Sequence, residues 1–226
     1  MTTLLPGIEI DSGPDPIASV IWLHGLGADG NDFAAIVPEL ELAGCPPIHF
    51  VFPHAPSIAV TINGGYVMPA WYDILGTEMQ KNEDEAGIRR SALAIEALIT
   101  REQERGIATE RIVLAGFSQG CAIALHTGLR HPSALAGIIA LSGYLPLAGQ
   151  LPAQASSANR MTPIFMAHGV ADPMVLLARA QASRDALLAL AYPVQWHTYP
   201  MQHSLHPREL EDISAFLRAV LAPPGN

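Results

Sequence analysis

The stretch Ile112-Val113-Leu114-Ala115-Gly116-Phe117-Ser118-Gln119-Gly120 decides how the chain is read. Its first four residues are apolar, without polar alternation, and predict a strand buried on both faces. They run directly into Gly-x-Ser-x-Gly, which occurs once in the 226 residues. A helical stretch, roughly Gln119–Arg130, follows. Strand, sharp turn and helix in that order are the setting of a nucleophile elbow, where a strained turn lifts a serine hydroxyl above the sheet edge. Taken alone, the pattern also fits an ordinary serine in a tight strand-to-helix turn; the flanking elements favour the elbow.

Working outward, the same kind of short apolar run recurs at Ile17–Leu23, Ile48–Pro53, Arg111–Phe117, Leu135–Leu141, Pro163–Ala167 and Val194–Tyr199. Helical stretches alternate with them, roughly at Phe33–Ala43, Asp84–Arg105, Leu176–Ala191 and Pro207–Leu221. In the second of these, Ile88, Ala92, Ile95 and Ile99 line one stripe. Pro207 stands at the expected first turn of the last helix, and Pro223 beyond its end. The alternation predicts one α/β domain over 1–226: a mostly parallel sheet with right-handed crossovers and helices on both faces. Two segments read as long loops. His54–Met79 has Gly64-Gly65 as a candidate hairpin turn; Pro146–Thr162 is rich in Pro, Ala, Ser and Gln. Neither is large enough for a separate domain, so no large cap is expected.

Composition narrows the function classes. Half the residues are apolar and 15% are charged, which excludes a disordered chain. The net charge of −9, from 12 basic and 21 acidic residues, argues against a nucleic-acid partner. The apolar runs are far shorter than the roughly 20 residues of a membrane-spanning helix. Met1 to Asp15 lacks the basic and apolar regions of a signal peptide. The only cysteines, Cys45 and Cys121, read as reduced thiols in a cytoplasmic protein.

A serine hydroxyl is a poor nucleophile at neutral pH and needs a base, itself oriented by an acid. Behind an elbow of this kind the chain order is Ser, Asp or Glu, then His. The partners belong just past strand ends, at the carboxyl edge of the sheet. Asp172 follows the run Ile164-Phe165-Met166-Ala167, and His203 follows Val194–Tyr199 and precedes the last helix. Each has a competing reading. Asp172 suits a turn with Pro173 or a helix cap, and His203 suits an ordinary surface loop. Asp185 and Asp212 fall within predicted helices. His197 lies inside a strand, and His206 abuts Pro207 as a helix-start residue would.

Two backbone N–H groups are needed to hold an oxyanion. Gln119, at the start of its helix, supplies one. The loop His24-Gly25-Leu26-Gly27-Ala28-Asp29-Gly30 follows a strand and supplies the other, with Leu26 between two glycines. A flexible glycine loop before a helix is the alternative. A phosphate cradle is disfavoured, since the Gly-Lys-Ser/Thr ending of a P-loop does not occur. No His-Glu-x-x-His pattern and no paired cysteines support a metal, so no metal or other cofactor is expected. Trp71 and Tyr72, in the long loop, read either as core or as a pocket wall.

These residues resemble a known family, the small bacterial carboxylesterases and acyl-protein thioesterases (lysophospholipase-like) of the α/β-hydrolase superfamily. The resemblance rests on Trp22 through Phe33, Met68-Pro69-Ala70-Trp71-Tyr72-Asp73-Ile74, the Gly116–Gly120 elbow and Leu141 through Pro146. It continues in His168-Gly169 with Asp172, and in Tyr199 through Ser204. It implies Ser118 as nucleophile, Asp172 as acid and His203 as base, with Leu26 and Gln119 as oxyanion donors. It implies hydrolysis of carboxylic esters and, in some members, of acyl thioesters or lysophospholipids. A noncatalytic binding protein on the same fold is the remaining alternative. The family further implies an acyl groove with one wall from Met68, Trp71, Ile74 and Leu75 and another from Met174 and Val175, and a homodimer. The chain departs from the family pattern at Cys121 and Gln202, where glycine is usual.

Overall fold

The computed structural model describes residues 4–76 and 83–222. Seven strands form the main sheet: β1 (Gly7–Asp11), β2 (Ala18–Leu23), β3 (Ile48–Pro53), β6 (Ile112–Phe117), β7 (Gly137–Leu141), β8 (Ile164–Gly169) and β9 (Val194–Tyr199). Two more, β4 (Ser57–Val60) and β5 (Tyr66–Pro69), pair as a separate antiparallel hairpin. The strand order is β1-β3-β2-β6-β7-β8-β9. All pairings in the main sheet are parallel except that of β1 with β3. This is an α/β-hydrolase-like architecture without a large cap.

The central strands carry apolar residues on both faces because both are covered. Ile21, Leu23 and Leu114 join one core with Ile88, Ile95 and Leu98 of α2 (Glu85–Glu104) and with α3 (Gln119–Gly128) and Leu187 of α5 (Leu177–Ala189). Val20, Trp22, Val113 and Ala115 point the other way. They meet Phe33 of the short α1 (Asn31–Ala34) and Ile213, Phe216 and Leu217 of α6 (Pro207–Val220). The alternation follows from the two-residue period of a strand. Every residue of α3 is buried, so the helix that follows Ser118 is clamped from all sides.

Two expectations are corrected, and one strand was not foreseen. The helix placed over Phe33–Ala43 is a single α turn, Asn31–Ala34, followed by a 3₁₀ turn at Val37–Glu39. Pro38 lacks the N–H that an α-helix would use there, and its ring clashes with the preceding turn. The edge strand β1 went unpredicted because its residues alternate between half-buried and exposed, with no continuous apolar run. Pro146–Thr162 is not structureless: it holds α4 (Leu151–Gln154) between two 3₁₀ turns. Buried Asn159 stitches this segment down, donating to the His131 and Ser133 carbonyls and accepting from the Leu135 N–H. Gly64 and Gly65 do form the β4–β5 turn, both with positive φ. The end of the predicted loop, 77–79, and Pro223 lie outside the described residues.

The chain starts at the edge in β1, enters at β2, steps outward to β3 between them, then returns to β6 on the other side of β2 and proceeds the other way. The crevice at this reversal, between the carboxyl ends of β2 and β6, is where open α/β sheets bind ligands. Ser118 and Leu26 stand there.

Candidate active site

Ser118 leaves β6 with φ 55° and ψ −116°, a conformation costly for a side chain with a Cβ. It is held from both sides. Its N–H donates to the Leu141 carbonyl at 2.8 Å, and α3 begins at the next residue. The close approach of helix to sheet requires Gly120, where an added Cβ would lie 2.3 Å from the Leu23 carbonyl oxygen.

Asp172 follows β8 and is buried. Its Oδ1 accepts the N–H groups of Met174 and Val175 at 2.8 and 2.9 Å. Its Oδ2 lies 2.7 Å from His203 Nδ1. A carboxylate only accepts, so Nδ1 carries the proton, and the bare Nε2 faces the Ser118 hydroxyl at 2.9 Å. Phe117 packs on the imidazole, with ring centroids 4.8 Å apart. The turn that delivers His203 lies against the end of β8. A Cβ on Gly169 would come within 2.4 Å of the Gln202 carbonyl oxygen, so glycine there lets the two loops meet.

A second histidine lies beside Asp172. His168 is fully buried at the end of β8, and its Nε2–H donates to the Val175 carbonyl at 2.7 Å. The same nitrogen is 3.4 Å from Asp172 Oδ2. Burial pushes its pKa below the ordinary histidine value, which keeps the ring neutral. Sequence reasoning assigned His168 no role; its signal was its place four residues before the candidate acid.

The Leu26 and Gln119 N–H groups make no hydrogen bond to a backbone carbonyl among the described residues. Both residues line one cleft of about 240 Å³ together with Ser118 and His203. Its apolar wall comes from Tyr72, Ile74, Phe117, Tyr144, Met174 and Val175. Of the expected groove residues, Ile74, Met174 and Val175 are therefore at the cleft. Trp71 is not: it is 2% exposed and packed in the core, and its neighbour Tyr72 takes the wall position. Leu75, 45% exposed, borders a separate small hollow beside Asp73 and Glu83. Met68 lies behind the Gly25–Gly30 loop, its sulfur beside Gly27. Phe117 and Tyr144 were missed as lining residues. Tyr144 comes from the loop after β7, and its hydroxyl meets that of Tyr72 at 2.7 Å.

The departures from the family pattern are accommodated. Cys121 is buried against Gly143, and burial raises its pKa far above that of a free thiol, so it stays protonated and inert. Gln202 turns its side chain to solvent. Among the described residues, no group of three or more His, Cys, Asp or Glu is disposed to hold a metal ion.

A serine at an elbow, hydrogen-bonded to a histidine that a buried aspartate orients, on this fold, defines a serine hydrolase of the α/β-hydrolase class. Residues 7–221 match the phospholipase/carboxylesterase family, and the chain belongs to it. It is 42% identical over 218 residues to acyl-protein thioesterase 1 of Gibberella zeae, covering 92% of each chain. It is 44% identical over 209 residues to acyl-protein thioesterase 1 of Neurospora crassa, covering 88% of this chain and 85% of that one. Among solved structures it resembles Zea mays acyl-protein thioesterase 2, with a TM-score of 0.83 and 28% identity over 96% of this chain and all of that one. Arabidopsis thaliana SOBER1 aligns with a TM-score of 0.84 at 30% identity, over 90% and 99% of the two chains.

Proposed function

We propose that Ser118 is the nucleophile, His203 the general base and Asp172 its orienting acid, with the Leu26 and Gln119 N–H groups as the oxyanion hole. The hydrogen-bonded path from Ser118 Oγ through His203 to Asp172 carries this reading. Ser118 Oγ attacks the substrate carbonyl carbon as its proton passes to His203 Nε2. The carbonyl oxygen becomes an oxyanion held by the two N–H groups. Collapse breaks the bond to the leaving alcohol or thiol, which takes the proton from His203 and departs, leaving an acyl-serine. Water then gives its proton to His203, attacks the acyl carbon, and releases the carboxylic acid with Ser118 restored.

The substrate we propose is a carboxylic ester or an acyl thioester, including one on a protein cysteine. The apolar wall of Tyr72, Ile74, Tyr144, Met174 and Val175 suits an acyl chain. The exposed apolar side chains of Val170, Met174 and Leu176 beside Asp172 suit a substrate whose chain extends past the rim. Two free cysteines support a cytoplasmic site of action. The two cores on opposite faces of one sheet support a single domain over 1–226.

The test is hydrolysis of p-nitrophenyl esters from acetyl to palmitoyl, alongside thioesters of the same acids. Ser118→Ala is expected to abolish turnover of every member while keeping the fold. Retention of wild-type rates by Ser118→Ala would sink the assignment.

A further inference from the structure

The two oxyanion donors come from loops far apart in the chain, after β2 and after β6. One buried residue joins them. The Trp71 backbone N–H donates to the side-chain Oε1 of Gln119 at 2.8 Å. Its indole Nε1–H donates to the His24 carbonyl at 2.9 Å. Its own carbonyl accepts from the Ser91 hydroxyl. Every polar group of Trp71 is thus engaged, and none of it lines the cleft.

The far end of this chain reaches the peptide that carries the Leu26 N–H. His24 Nε2 accepts from the Ala55 N–H at 3.0 Å, so its proton sits on Nδ1, which meets the Gly25 carbonyl at 2.7 Å. Gly25 C=O and Leu26 N–H belong to one planar trans peptide. Holding the oxygen orients the N–H and polarises it as a donor. Burial lowers the His24 pKa and favours the neutral ring that this arrangement needs. The Trp71 ring packs on His24, with centroids 5.2 Å apart.

We infer that Trp71 is a positioning residue for the oxyanion hole, setting the Leu26 and Gln119 N–H groups relative to each other through its indole N–H and its backbone. The inference rests on the oxyanion assignment proposed above. Its function is geometric: donors preorganised for the tetrahedral oxyanion, not for the ground-state carbonyl, act on turnover and not on binding.

The test compares wild type with Trp71→Phe on p-nitrophenyl butyrate and on an alkyl trifluoromethyl ketone, which forms a reversible tetrahedral adduct with the serine. Acylation and deacylation both pass through an oxyanion, so kcat reports the hole whichever step limits. In Trp71→Phe, kcat is expected to fall about tenfold with KM within twofold, and the ketone Ki to rise by a similar factor. Inhibition by butyrate should not change. Gln119→Met, which keeps the backbone N–H but removes the amide that Trp71 grips, should show the same split. The pair should be non-additive. Replacing Trp71 with benzothienylalanine keeps the ring shape and drops only the N–H, so it reads the same effect if the phenylalanine variant does not fold. Unchanged kcat and ketone Ki in a folded variant, even one with a lowered Tm, would overturn the inference. A rise in KM alone would do the same. Loss of activity in Ser118→Ala alongside either result leaves the proposed function standing; activity in Ser118→Ala removes the reading on which the inference rests.

Discussion

At the scale of single residues, the site turns on which atoms are left free to react. Asp172 spends Oδ1 on two backbone N–H groups and offers Oδ2 to His203, so the imidazole has one orientation and one tautomer. Asp172→Asn keeps the size but presents an NH₂ group. His203 would then have to accept at Nδ1 and carry its proton on Nε2, where it could no longer take one from Ser118. Turnover is expected to fall about 10⁴-fold with the fold intact; a Tm measurement beside the rate separates this from unfolding. A loss under tenfold would show that the carboxylate is not the orienting acid. Ser118 was legible because everything that makes an elbow is local: an apolar strand, two small residues and a helix start. Trp71 and Tyr72 were not separable by sequence. Which of two adjacent aromatics faces the cleft depends on the turn after β5 and on the grip of Gln119, whose amide also accepts Trp71 and donates to the Tyr72 carbonyl.

At the scale of elements, α6 illustrates a helix start with a cost attached. His206 caps it: its Nδ1 accepts the Arg208 N–H at 3.2 Å, and Glu209 reaches back to the His206 N–H at 3.2 Å. Glu209 is fully buried, and burial pushes its pKa up to about 7. The folded state therefore holds this proton above the pH at which the unfolded chain releases it. Stability from Glu209 is fully present below the ordinary glutamate range and is lost as pH rises to about 7. Glu209→Gln keeps the acceptor and removes the titration. Relative to wild type it should gain about 1–3 kcal/mol between pH 5 and pH 8, read by urea unfolding. A pH-independent difference would contradict the raised pKa. The cap reading of His206 was available from its place before Pro207. The failed helix at Phe33–Ala43 was also legible in principle, since Pro38 stands in its middle. The edge strand β1 was not, because its pairing with β3 is a long-range contact that leaves no apolar run behind.

For the whole molecule, burial of neutral histidines predicts acid sensitivity. Burial lowers the pKa values of His24 and His168, and together with Arg130 and Arg89 it brings His126 down to about 3. Each binds a proton more readily unfolded than folded. Stability is therefore full above the ordinary histidine pKa of about 6.5 and declines as pH falls below it, for His126 down to about 3. Denaturant midpoints measured from pH 8 to pH 4 should fall most steeply below about pH 6.5. His126→Gln should flatten part of that slope, since it cannot be charged. An equal slope in the variant would remove His126 from the account.

What the sequence by itself determined were features encoded over short distances or by chain order. These include the strand–turn–helix at Ser118, the alternation of buried strands and helices, and the order Ser118, Asp172, His203. They are local or topological, so period, turn chemistry and sequence order carry them. Only the tertiary structure decided the assignments that depend on residues meeting from separate loops. Tyr144 joined Tyr72 on the cleft wall, Trp71 moved into the core beside His24 and Gln119, Leu75 moved off the cleft, and His168 came to lie behind Asp172. The physical reason is the same throughout: a side chain's neighbours at such a crevice come from different strand ends, and the packing of the whole sheet sets their distances.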